Sequence, residues 1–126
     1  MFKTLKFKLK NENGTSAIEF ALVLPVLIML LFGIFEFGIV YNNYLAITHA
    51  AREGARLAAV KQYSEETVRE RAYPVNPTQI SLGYPNGDVH GEPVEVTVRY
   101  DKEIEIPFWG AQTIPLVSRA QMRIEY

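Results

Sequence analysis

The chain contains no cysteine. Disulfides and thiolate metal sites are therefore excluded, and any part placed outside the cytoplasm must rely on its core and its assembly contacts. Histidine is nearly absent as well. His49 and His90 lie far apart, and neither belongs to a metal-ligand spacing. His49 reads as a helix-surface residue one turn from Glu53, and His90 as a loop residue. No glycine-rich phosphate loop occurs, and Ser81 and Ser118 fall in strand-like stretches without a nucleophile motif. No catalytic residue, metal or cofactor is expected, and the chain is not read as an enzyme. Net charge is −1, and the basic residues cluster only at the N-terminal flank, so nucleic acid is not an expected partner.

A further absence is more informative. From Phe20 to Phe35 no residue carries a charge, and twelve of the side chains are Leu, Ile, Val or Phe. A spanning helix needs ~20 mostly apolar residues to cross a ~30 Å hydrocarbon core. At roughly −0.3 to −0.6 kcal/mol each, the twelve favour insertion by about 4–7 kcal/mol. The charges that bound the run, Glu19 and Glu36, lie toward its ends, where a carboxylate costs less than the ~2.5–3.5 kcal/mol of the bilayer centre. Insertion therefore wins over the alternative of a buried helix in a soluble domain. The run exceeds the ~7–15 residues of a secretory signal core, and Phe35–Glu36–Phe37–Gly38 offers no small-x-small cleavage site.

Orientation follows from the flanks. Lys3, Lys6, Lys8 and Lys10 precede the run, and the first basic residue after it is Arg52. Lysine and arginine stay inside, which places the N-terminus in the cytoplasm and the remainder outside it. The expected localisation is the cytoplasmic membrane, in a single pass.

Beyond the membrane, residues 42–62 read as a continuation of the helix. Ala46, Ala50, Gly54 and Ala58 recur every four residues, a stripe of small side chains that admits close approach. Ala51, Ala55 and Ala59 form a second stripe beside it. Two readings stand: a helix–helix interface in an assembly, or packing on the chain's own sheet. Ser64 followed by Glu65 and Glu66 predicts a helix N-terminus, and the short helix stops near Ala72, before Pro74.

The period then changes. Ile80, Leu82 and Tyr84 alternate with polar or small residues, and Pro85–Asn86–Gly87–Asp88 is a turn. Val94, Val96, Val98 and Tyr100 alternate with Glu95, Thr97 and Arg99 in a half-buried strand. Asp101–Lys102 is read as a turn into Glu103–Ile106. A last strand, 116–126, sets Leu116, Ala120, Met122, Ile124 and Tyr126 on one face. Phe108–Trp109 falls in a loop, where a cap on one end of the core is expected and contact with a partner or the membrane surface is the alternative.

The expected fold class is α+β: a long N-terminal transmembrane helix, continuing into an extracytoplasmic helical stem packed on a small antiparallel sheet of three or four strands. The expected segments are a cytoplasmic basic leader (1–14), the transmembrane part of the helix (15–41), the stem (42–73) and the sheet (74–126).

The run Gly14–Thr15–Ser16–Ala17–Ile18–Glu19–Phe20–Ala21–Leu22–Val23–Leu24–Pro25, followed by Ala50–Ala51–Arg52–Glu53–Gly54–Ala55–Arg56, resembles the TadE-like family. These are pseudopilins or minor pilins of the tight-adherence (Flp-type) pilus, and the likeness covers about residues 14–60. The resemblance implies cleavage between Gly14 and Thr15 by a prepilin peptidase, with Glu19 as the fifth mature residue and Phe20 after it. It also implies other Tad/Flp components as partners, and oligomers formed through the N-terminal helix, homo- or heteromeric. The carboxylate of Glu19 would then answer the new amine of Thr15, within one subunit or between two. For Glu36 two readings remain, snorkelling to the outer interface or pairing with Arg52 or Arg56 of a neighbour. The alternative function is a membrane-tethered extracytoplasmic binding module with no pilus role, using its sheet or the Phe108–Trp109 loop.

Overall fold

The computed structural model describes residues 2–126, with side chains from residue 14 onward. The leader lysines Lys3, Lys6, Lys8 and Lys10 therefore lie outside the residues whose side chains are described. The first helix, α1, runs Phe2–Ala59 and contains Pro25. A short α2, Glu65–Arg71, follows, then three strands: β1 Gln79–Gly83, β2 Pro93–Ile106 and β3 Gly110–Arg123. The order in the sheet is β1-β2-β3, with both pairs antiparallel. The fold is thus α+β, a long apolar helix followed by a small three-stranded sheet. Two compact units divide the chain, residues 1–37 and residues 38–126.

In the first unit apolar side chains point outward on every side. Ile18, Phe20, Leu22, Val23, Val26 and Ile28 are each more than half exposed, as are Leu30, Leu31, Ile34 and Phe35. A helix apolar all round has no polar face to offer water, and burial in lipid is the arrangement that satisfies it.

The second unit has a core. Ile47, Ala50, Ala51, Ala55 and Ala58 of α1 are buried with Val68 of α2 and Ala72 at its end, with Val94, Val96, Val98 and Leu116 of the sheet, and with Ile124 just after it. The valines fall at alternate positions of β2, so the pleat sends all three to the helix-facing side. Val94 is opposite Met122, Val96 opposite Ala120, and Val98 opposite Ser118. Small residues on the helix bring its axis close to the sheet. At Gly54 the closeness is measurable, since a Cβ built there would stand 2.7 Å from Val68 Cγ2 and 3.1 Å from Val96 Cγ1.

Helix α1 stops without glycine. Lys61 takes a left-handed conformation, φ 62°. Its N–H donates to the Ala58 carbonyl at 3.2 Å, while Gln62 N–H donates to Leu57 at 2.8 Å. These two bonds form a Schellman cap around the last turn. The Lys61 ammonium lies 5.0 Å from the centre of the Tyr126 ring, so the cap is also held by a cation–π contact. The start of α2 is plainer. Ser64 occupies the N-cap position with an extended backbone, but its side chain makes no capping bond.

Two expectations for the sheet are corrected. Asp101–Lys102 is no turn: β2 runs straight through it to Ile106, with Asp101 opposite Pro115 and Lys102 opposite Ile114. The last strand begins at Gly110, six residues before Leu116. Both differences make one long hairpin, β2–β3, that extends well past the end of β1.

Candidate functional site

The residues singled out from sequence lie in α1 and at the hairpin turn. Along α1, Glu19 and Glu36 are 17 residues apart, or ~26 Å at 1.5 Å per residue. That separation approaches the ~30 Å thickness of a hydrocarbon core. The stretch between them is the uncharged one, so a bilayer that took in the apolar surface would have one carboxylate near each of its boundaries. Gly14 and Thr15 stand about one turn before Glu19, at the polar end of the rod. Phe20 is exposed on its surface.

The two acids differ in surroundings. Glu19 is exposed. Glu36 is partly buried, and its Oε2 atom is fully covered without a hydrogen-bond partner. A covered carboxylate oxygen lacking a donor is costly, more so in lipid. Of the two arginines weighed as partners, Arg56 is already engaged within the chain. Its Nη2 and Nε donate to the Glu53 carboxylate at 2.7 and 3.1 Å. Arg56 holds the Glu53 carboxyl below its usual range, chiefly through that side-chain hydrogen bond. Arg52 is exposed and has no ion-pair partner among the described residues.

The stripe of small residues divides along its length. Ala50, Gly54 and Ala58 are buried under the chain's own sheet and α2, while Ala46, nearer the membrane end, is only half-buried. Ala51, Ala55 and Ala59 are buried too. Within residues 50–59 the small side chains thus serve contact inside the subunit. A polar pair marks the boundary: Thr48 Oγ1 donates to the Tyr44 carbonyl at 2.8 Å. With its single proton so committed, Thr48 accepts the hydroxyl proton of the buried Ser118, 3.0 Å away. Sequence reasoning treated Ser118 only as a negative, a serine without a nucleophile motif. Its even-numbered position in β3, in phase with Leu116 and Ala120, was the signal of an inward-facing residue.

The aromatic pair is not a cap on the core. Phe108 is 91% and Trp109 67% exposed, at the turn joining β2 to β3. Trp109 N–H donates to the Ile106 carbonyl at 3.1 Å, and Phe108 (φ 73°) and Gly110 (φ 81°) are both left-handed, which closes the turn and aims the rings outward. The opposite face of the sheet is polar. Gln79, Ser81, Glu95, Thr97, Arg99 and Arg119 line an open depression there, in which Gln121 donates to Glu95 at 2.7 Å. Among the described residues no group of histidine, aspartate and glutamate is arranged to hold a metal ion. His90 is in a loop, with Nδ1 3.2 Å from the Tyr126 carbonyl.

A rod long and apolar enough to cross a bilayer, with one small helix-and-sheet unit after it, is consistent with a single-pass membrane protein. Residues 14–56 match the family model described as TadE-like protein, the same family that the motifs resemble. That match lies wholly within α1 and takes in Gly14, both acids, Pro25 and the stretch to Arg56. It implies a component related to the tight-adherence pilus. No curated protein and no solved structure matches the chain.

Proposed function

We propose that this chain is a non-enzymatic, membrane-anchored subunit of Flp-type pilus assembly or a related secretion apparatus, a pseudopilin or minor pilin. The observation that carries the reading is the order of features on one helix: Gly14, Thr15, Glu19 and Phe20 in register, then an apolar surface on every side. A prepilin peptidase on the cytoplasmic face cuts between Gly14 and Thr15, where the small glycine leaves the backbone accessible. The helix stays in the cytoplasmic membrane with its N-terminus inside and residues 42–126 outside.

Cleavage creates a positive amine at the lipid boundary, one helical turn from Glu19. Two opposite charges ~4 Å apart attract by about 4 kcal/mol at an effective dielectric of ~20, severalfold the thermal energy. Between subunits such a pair fixes axial register. The partly buried Glu36 is a second, outer point at which an assembled neighbour supplies a donor, and Arg52 of that neighbour has the free charge for it. The half-buried Ala46 and the apolar surface below it are the helix face left for that contact.

N-terminal sequencing of the membrane-bound protein tests the proposal. In cells with an active prepilin peptidase the first residue is expected to be Thr15, and without the peptidase Met1. A Met1 start in both overturns processing. Crosslinking through α1 to other Tad components is the matching test of assembly. A tethered binding module with no pilus role would give no such crosslinks.

A further inference from the structure

The hairpin turn offers a surface that the assembly helix does not account for. From Ile106 to Ser118 no residue is charged, and every residue from Phe108 to Pro115 is exposed. Two of them are the large rings of Phe108 and Trp109. Such a tip contributes nothing to the core, and exposing it to water is unfavourable.

Its direction follows from two anchor points inside the second unit. Glu125 N–H donates to the Ala59 carbonyl at 2.9 Å, so the C-terminal end of β3 lies beside the end of α1. Thr48 meets Ser118 at 3.0 Å, so β3 runs in the same direction as the helix. Between these contacts the helix rises ~16 Å over 11 residues while the strand covers ~24 Å over seven, a ratio of ~0.7. Followed a further eight residues from Ser118 to Gly110, the strand descends ~19 Å along the helix axis. From Thr48 down to Gly38, the first residue of this unit, the helix descends only ~15 Å. The tip therefore reaches the level of Gly38, the membrane-proximal end of this unit. Tyr41 and Tyr44, both exposed, stand on the helix at the same end.

We propose that Phe108 and Trp109 dip into the outer interface of the bilayer and give the extracytoplasmic unit a second membrane contact; this rests on the single-pass anchoring above. Aromatic rings with one polar edge settle at the headgroup level, and Tyr41, Tyr44, Phe108 and Trp109 together form such a belt on two separate elements. The partner is the lipid interface itself rather than an anionic headgroup. The nearest charges on the hairpin are Lys102, Glu103 and Glu105, which give no positive patch. Held at two points, the unit cannot swing freely about the helix, which fixes the orientation in which it meets its neighbours.

Trp109 is the single tryptophan of the chain, so its fluorescence reports the tip alone. The full-length protein is reconstituted in phosphatidylcholine vesicles and checked by flotation. Expected are a blue-shifted emission, quenching at least twofold greater by lipid spin-labelled near the carbonyls than by label at the chain end, and protection from aqueous iodide. Adding anionic lipid or salt leaves these unchanged. Phe108→Ser with Trp109 retained weakens the lipid quenching while the chain still floats. Flotation with Trp109 as open to iodide as free indole overturns the inference and leaves the anchor standing. Protection from both quenchers also overturns it, since a second copy then covers the tip. Failure to float without detergent overturns the anchor first and this contact with it.

Discussion

Gly54→Ala separates close packing from helix propensity, because the two act in opposite directions at this residue. In an exposed helix the change gains about 1 kcal/mol, since glycine is the poorest helix former after proline. At Gly54 the new methyl carbon would lie 2.7 Å from Val68 Cγ2 and 3.1 Å from Val96 Cγ1. Neither neighbour is the loose end of a flexible chain; both valines are fully buried and stiff at χ1. Overpacking of this kind costs about 1–3 kcal/mol. Subtracting the propensity gain leaves a net loss of about 1 kcal/mol. For a folded unit of this size that lowers Tm by about 4–8 °C. The assay is thermal unfolding of the full chain in detergent micelles, followed by the β-sheet circular dichroism. Gly38→Ala is the control, since nothing lies within 4 Å of its added carbon, and it should not lower Tm. Val68→Ala removes the closest obstacle, so in the double variant Gly54→Ala should regain its helix benefit, with a coupling above about 1 kcal/mol. If Gly54→Ala raises Tm, or its effect is the same with and without Val68, the contact of helix and sheet at this point is not as described.

The hydroxyl of Tyr126 donates to the Asp88 carboxylate and also bonds Tyr84, and the Asp88 bond foremost raises its pKa well above the usual tyrosine value. A raised folded pKa means stability fully present below the unfolded value near 10 and lost as pH rises through the folded one. Alkaline titration by NMR should show Tyr126 protonated after an ordinary exposed tyrosine has ionised; simultaneous titration refutes this, and Tyr126→Phe should remove the corresponding alkaline loss of stability. At Glu36, replacement by Gln removes the charge but keeps the shape. The isolated subunit should fold as before, while helix association weakens by about 1 kcal/mol, or roughly fivefold. Unchanged crosslinking between subunits would exclude Glu36 from the interface, and recovery in the Glu36→Arg, Arg52→Glu exchange would identify the partner.

The membrane helix was legible because its signal is additive: uncharged apolar residues from 20 to 35 outweigh any local choice, and Pro25 did not break it. The valine alternation of β2 was equally plain, since a strand with one buried face must repeat every two residues. What escaped was the lower hairpin. Asp101–Lys102 looks like a turn because two charged residues interrupt the pattern. The parity nevertheless continues, with Lys102, Ile104 and Ile106 in phase with Val94, and Ile104 is buried. A lysine is tolerated at an inward position once the strand has passed the main core. Pro115 is a residue that central strands exclude, yet β3 is the edge of the sheet, where proline is admitted. In both places the pairing of the two strands outweighs the local preference of the residues.

That same override explains the fate of the small stripe. Spacing of four says that something approaches α1 closely, but the residue pattern is identical whether the visitor is a sheet or another helix. Only the distances at Gly54 decide, and they name Val68 and Val96 of the same chain. The consequence bears on assembly. With residues 50–59 closed by intramolecular contacts, the proposed assembly has the lower part of the helix left to it: Ala46, the partly buried acid at Glu36, and the apolar surface down to Glu19. A polar donor is needed at Glu36 because no water in lipid replaces it. An interface built there depends on charge placement rather than on the small stripe. Larger residues at Ala50 and Ala58 should therefore destabilise the subunit by about 1–3 kcal/mol, while changes at Glu36 should weaken association between subunits that remain folded.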